Sequence, residues 1–200
     1  MSSARLASLA LADPPERWQA LGFALDGSRL RLGEVGLELG VPGSGITGWA
    51  LEGTEPGLEL DGLPWRGLDG DHPGSPARHP NGAVGIDHVV VTTPDFARTT
   101  TALAQAGLEL RRVRDAGGFR QGFRRLGPAI LELVEAKGLG DSGPARFWGL
   151  VVIVSDLDAL AARLGDHLGP IKPAVQPGRR IATLRESAGL STRVAFMDPE

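Results

Sequence analysis

One short pattern occurs twice in this chain. Arg31-Leu32-Gly33 followed by Leu37-Glu38-Leu39 returns as Arg125-Leu126-Gly127 followed by Leu131-Glu132-Leu133, at the same offset for every residue. Each copy reads as strand, tight turn and strand, because alternating apolar residues flank a glycine. A repeat of this kind constrains the fold more than any local propensity, since like sequences build like units. Three aspartates, Asp13, Asp95 and Asp156, mark strand-to-helix junctions at comparable places in three units. Seven residues before them stand Leu6, His88 and Gly149, so one unit carries a histidine where the others carry apolar or no side chains.

The first unit is predicted as a strand over 4–12, a helix opened by Asp13 and Pro14, and strands over 23–25, 29–32 and 35–39. It is a compressed strand-helix-three-strand (βαβββ) unit, covering residues 1–40. Residues 41–83 are the least regular part, with expected strands at 46–51 and 58–63 and a Pro/Gly-rich linker from 67 onward. The second unit starts at Val84. Strand 86–92 runs into a helix capped by Thr93 with Pro94 in its first turn, and strands over 108–114, 119–126 and 129–134 follow. The third has strand 147–154, a helix begun by Ser155-Asp156, and strands over 171–175, 181–185 and 193–197. Twenty-nine glycines and 15 prolines suit many short elements joined by turns. The fold class expected is α+β: tandem βαβββ modules forming curved mixed sheets, with helices on the outer face. Residues 84–200 are the principal domain, divided into modules 84–136 and 145–200.

Composition removes several functions. With no cysteine, disulfides, thiolate nucleophiles and thiolate metal sites are excluded, which fits a reducing cytoplasm. A net charge of −3 does not suggest nucleic acid, and tyrosine chemistry is absent with the residue. The apolar run at 147–154 is far shorter than the ~20 residues a membrane span needs, so no membrane partner is expected. The glycine-rich stretch 40–45 lacks the Lys-Ser/Thr of a phosphate loop, and there is no Gly-x-Ser-x-Gly nucleophile elbow.

Within the strands, two polar residues stand out. His88 and Glu132 lie mid-strand among apolar neighbours, and such residues are seldom buried without partners. Either they face a pocket, as metal ligands or as base and orienter, or they satisfy each other in a cup without chemistry. Gln121 and Arg185 are the candidate ligand contacts, the arginine as a fork for a carboxylate or phosphate. His72 and His79 read as surface histidines, and His167 as a residue at a helix C-terminus. Phe119, Phe123, Trp148 and Phe196 read as core.

The segments 85–99, 127–136 and 147–164 resemble the vicinal oxygen chelate superfamily, which includes glyoxalase I, bleomycin-resistance and extradiol dioxygenase proteins. The resemblance covers 84–200 well and 4–40 weakly. It implies two βαβββ modules forming one glyoxalase-like cup around a divalent metal, held by the first and last strands of each module. Carried over, His88 takes the first-strand position and Glu132 the last-strand one. The partner module offers Gly149 and Ala195 there, so Glu38 or a second subunit would have to supply a further ligand. The resemblance implies a small-molecule ligand and a metal-dependent lyase, isomerase or dioxygenase, with Glu132 as metal ligand or catalytic proton shuttle. The alternative is a metal-free protein that sequesters a hydrophobic or aromatic compound. Paired modules are also compatible with a homodimer.

Overall fold

A computed structural model describes residues 4–55, 57, 59–66, 78–136 and 143–200. Among the described residues, twelve strands form two sheets. The first holds β1 (Arg5–Leu11), β2 (Arg29–Leu32), β3 (Val35–Glu38) and β4 (Ile46–Glu52), in the order β2-β3-β1-β4. The second has eight strands: β5 (Ala83–Thr93), β6 (Arg112–Asp115), β7 (Arg120–Leu126), β8 (Ala129–Glu135), β9 (Arg146–Val154), β10 (Lys172–Pro173), β11 (Arg180–Thr183) and β12 (Arg193–Met197). Their order is β10-β11-β12-β9-β5-β8-β7-β6. Helices α1 (Pro15–Ala20), α2 (Phe96–Gln105) and α3 (Leu157–Leu164) follow β1, β5 and β9.

Each half of the large sheet is a βαβββ module. The first strands, β5 and β9, run antiparallel at the centre, and each has its module's last strand, β8 or β12, parallel on its other side. The small sheet follows the same plan over four strands. There β1 is flanked by parallel β3 and antiparallel β4, as β5 is flanked by β8 and β9. The expected strand 23–25 does not form. Ala24 instead donates its N–H to the His79 ring, and Asp26 makes only an isolated bridge to Arg29. The expected strand 58–63 is reduced to a bridge between Leu60 and Leu63, with Leu58 outside the described residues. Strand β4 hydrogen-bonds β1, so the boundary expected at residue 40 runs through a paired sheet.

Strand alternation decides which face of the large sheet is covered. Val89, Val91, Leu131, Leu133, Leu150, Val152 and Phe196 are all fully buried on one face. Helix α2 lies there, tied by a Thr93–Thr99 hydroxyl contact of 2.6 Å. The small sheet packs on the same face: Trp49 meets Phe147 edge-on at 5.3 Å, and Phe23 stacks on Phe196 at 6.4 Å. The opposite face, holding His88, Val90, Glu132 and Ala195, carries none of the described helices or strands of the small sheet.

Two polar residues fasten the units together. Asp13 does not cap α1; the N-cap is Pro14. The buried Asp13 carboxylate instead accepts from the backbone N–H groups of Ser191 and Thr192 and from the Ser191 hydroxyl, just ahead of β12. Nor is His79 a surface residue: only 7% of it is exposed. Its Nδ1 accepts from the Ala24 N–H at 3.0 Å, and Nε2 then donates to the Arg31 carbonyl at 2.8 Å. Helices α2 and α3 are capped by Asp95 and Asp156, one residue or two beyond the positions expected from sequence.

Candidate functional site

The polar centre of the open face is built by a β-bulge. Along the β5–β9 pairing, Ile86 stands opposite Val152 and His88 opposite Val151, which leaves Asp87 as an extra residue. An extra residue breaks the alternation of side chains. Asp87 and His88 therefore meet, although adjacent strand residues normally point apart, and the Asp87 Oδ2 to His88 Nδ1 distance is 2.7 Å. On the other side of the ring, Nε2 lies 3.2 Å from Glu132 Oε2. Glu132 Oε1 accepts from Gln121 Nε2 at 2.8 Å, and Gln121 Oε1 accepts from Arg114 Nε at 2.8 Å. Beyond Asp87, Arg179 donates from Nη1 to Oδ1 at 2.6 Å and from Nε to the Asp198 carbonyl at 2.8 Å. The result is one continuous row: Arg114, Gln121, Glu132, His88, Asp87, Arg179.

Charge and hydrogen-bond direction fix much of this row. Burial is the largest single influence on Asp87 and pushes its pKa up. Hydrogen bonds and charge from His88 and Arg179 together outweigh it, so the carboxyl lies below its ordinary value. An ionised Asp87 only accepts, so Nδ1 of His88 carries a hydrogen. Nε2 of His88 and the Glu132 carboxylate stand at ion-pair distance, 3.2 Å apart. The Arg114 contact fixes the Gln121 amide with its NH2 toward Glu132. Asp87 and Arg179 are each 7% exposed at the side chain, whereas His88 and Glu132 are twice as accessible at 13% and 14%. The histidine and glutamate thus form the reachable part of a buried scaffold.

Of the residues singled out from sequence, His88, Glu132 and Gln121 come together and two do not. Glu38 lies on β3 in the small sheet, paired with Ala10 and Arg29, and that sheet covers the opposite face. Arg185 is exposed beyond β11 and donates to the Asp166 carbonyl. The guanidiniums that do reach the row are Arg114 and Arg179. Asp87 lies outside the sequence expectation because strict alternation sends it to the other face; only the bulge brings it in. Asp71 and His72 lie outside the described residues.

The registers also place the two remaining ligand positions. One line across the four central strands runs Glu132, Val90, Gly149, Arg193 and another runs Ile130, His88, Val151, Ala195. Gly149 cannot carry a side chain as the sheet stands: a Cβ there would lie 2.3 Å from the Arg193 carbonyl oxygen. Ala195 offers a methyl. Catalytic metal centres ordinarily keep three protein ligands. Of the four ligand positions only two carry a donor, His88 Nε2 and the Glu132 carboxylate, while Asp87 is committed to Nδ1 and Arg179; no cluster of three or more His, Asp or Glu arranged to hold a metal occurs among the described residues. The residues present do not fit the metal centre that the resemblance implies.

The pairing of β5 with β9, each flanked by its parallel partner, decides the architecture. The fold is α+β, with two βαβββ modules side by side in one mixed sheet, as expected from the sequence. No protein-family model matches the chain, and no curated protein does. Among solved structures it is similar to methylmalonyl-CoA epimerase from Mycobacterium tuberculosis, at 22% identity over 60% of this chain and 90% of that one, with a TM-score of 0.49. A Streptomyces coelicolor methylmalonyl-CoA epimerase in complex with 2-nitronate-propionyl-CoA is 20% identical over 56% and 95%, with a TM-score of 0.46. The face bearing His88 and Glu132 is the one that corresponds to the cup implied by the resemblance. No helix among the described residues is long and apolar enough to cross a membrane.

Proposed function

We propose that the cup binds a small organic molecule whose polar group meets the His88–Glu132 pair, and that the pair acts by sharing a proton with it. The observation that carries this reading is the imidazole wedged between two carboxylates, with Nδ1 committed to Asp87 and Nε2 turned to Glu132. A histidine fixed in this way presents one nitrogen for acid–base work. Glu132, held by Gln121, is the second proton carrier. Residues 84–200 form the ligand-binding domain in this reading, with the small sheet as its cover. The resemblance of 31–39 to 125–133 and the shared plan of the two sheets support an internal duplication.

One feature favours metal binding. A carboxylate on the far nitrogen of a histidine is the usual support of a metal-bound imidazole, and Asp87 supplies it. The donor set still falls one short among the described residues.

The test is a thermal-shift screen of small organic acids, ketones and phenols on wild type and His88→Ala, with elemental analysis of untagged protein alongside. A ligand at 100 times its Kd stabilises by about 2.7 kcal/mol, roughly 5–10 °C for a chain of this length. The expected result is a shift of that size in wild type that vanishes in His88→Ala, with substoichiometric metal in both. Hits that shift both proteins equally would count against the cup. Stoichiometric metal lost in the variant would replace proton sharing by the metal reading.

A further inference from the structure

Resting on that reading of the cup, we infer the class of molecule it takes: a flat aromatic molecule carrying a carboxylate at one end and a hydroxyl or carbonyl at the other. A second bulge carries the inference. Along β5, Val90 stands opposite Gly149 and Val91 opposite Phe147, so Trp148 is an extra residue in β9. Trp148 is not core; it is 47% exposed, while Trp18 and Trp49 are completely buried. Its ring lies under the Arg193 guanidinium, 5.4 Å from the ring centroid. Arg193 is opposite Gly149 in register, so the pair stands on the cup side of the sheet. No carboxylate is paired with Arg193 among the described residues.

Between this pair and His88–Glu132 the floor is made of Val90, Gly149, Val151 and Ala195. None of these side chains exceeds a valine, and Gly149 adds nothing. From Glu132 to Gly149 is two strand spacings, about 10 Å, which is the length of a fused two-ring system. One end of that floor offers a proton-sharing pair, and the other a free cation beside an aromatic wall. The latter attracts an anion through Arg193 and a π-face through Trp148. Near the His88 end, Arg179 adds a buried guanidinium nitrogen, Nη2, that has no hydrogen-bond partner. A flat ring fits such a floor better than a branched aliphatic chain, and a carboxylate complements Arg193.

6-Hydroxy-2-naphthoate is the probe, with 2-naphthol lacking the carboxylate and octanoate lacking the ring. Binding is followed by tryptophan fluorescence and calorimetry on the full chain. The expected result is saturable binding of the hydroxynaphthoate, weakened tenfold or more in Trp148→Ala and in Arg193→Gln. Arg193→Gln is expected to leave 2-naphthol unchanged, which a merely unfolded variant would not do, and Val113→Ser serves as an exposed-apolar control. Binding that depends on His88 but is indifferent to Trp148 and Arg193, or octanoate binding as tightly, overturns the aromatic-anion class and leaves the cup in place. No His88-dependent binding of any probe overturns both. Sedimentation showing a dimer that Trp148→Ala dissociates would assign this tryptophan to a second copy of the chain and overturn the inference.

Discussion

Asp87→Ala is expected to lower the unfolding free energy by about 3–5 kcal/mol, the range for removing one partner of a buried ion pair. Asp87 and Arg179 are both almost wholly buried and 2.6 Å apart. Without the carboxylate, Arg179 keeps its charge in the sheet and loses the carboxylate it is hydrogen-bonded to. A pair replaced as a unit, Asp87→Leu with Arg179→Met, is expected to recover most of the loss, because neither charge is then stranded. Urea unfolding monitored by circular dichroism measures both. Asp87→Ala within 1 kcal/mol of wild type would show that the pair is not buried as described. The same linkage gives a pH dependence. The folded-state pKa of Asp87 is lowered, so its contribution is complete above the unfolded carboxyl pKa. It is lost as pH falls through the folded value. The stability difference between wild type and the double variant should therefore shrink on acidification and stay level above neutral pH.

The second large effect concerns Gly149, whose φ requires no special conformation and whose constraint is space alone. Gly149→Ala places a methyl against the β12 backbone at Arg193. Overpacking of a tight interior costs about 1–3 kcal/mol, and the backbone here is held at both ends, by Asp13 before it and by β9 beside it. Gly149→His, which adds an imidazole at the ligand position that the resemblance implies, is expected to destabilise more and to gain no tight divalent metal site. Unfolding of the variants, with zinc and manganese titrations by calorimetry, checks both halves. A Gly149→His protein as stable as wild type that binds one metal ion would mean that β12 moves aside, and that a metal site was lost by a single substitution.

Most of the large sheet was legible because its signals were local and strong. Residues 86–92 read as a strand from their run of β-branched residues, and the Asp at 95 and 156 marked where helices begin. His88 and Glu132 were legible from chemistry, as polar residues in apolar strands. Asp87 and the exposed Trp148 were not, because both depend on bulges. A bulge inserts one residue without any composition signal, and it reverses the face on which a side chain falls. His79 was misread for a related reason. It sits in a Pro/Gly-rich stretch that looks like solvent-facing loop, yet two backbone groups from residues 24 and 31 close around its ring. Glu38 and Glu132 occupy matching places in a sequence repeat, but the sheets that carry them are stacked, so a likeness in sequence did not become proximity in space.

The central claim is that a ligand's polar group meets His88 at Nε2 while Asp87 holds Nδ1. The most direct measurement is long-range 1H–15N NMR of the histidine rings while a hit from the thermal-shift screen is titrated. The Nε2 resonance of His88 is expected to move with occupancy while Nδ1 stays protonated and nearly unshifted, and His79 and His167 are expected not to respond. A ligand that saturates the protein and leaves the His88 ring unchanged would contradict it.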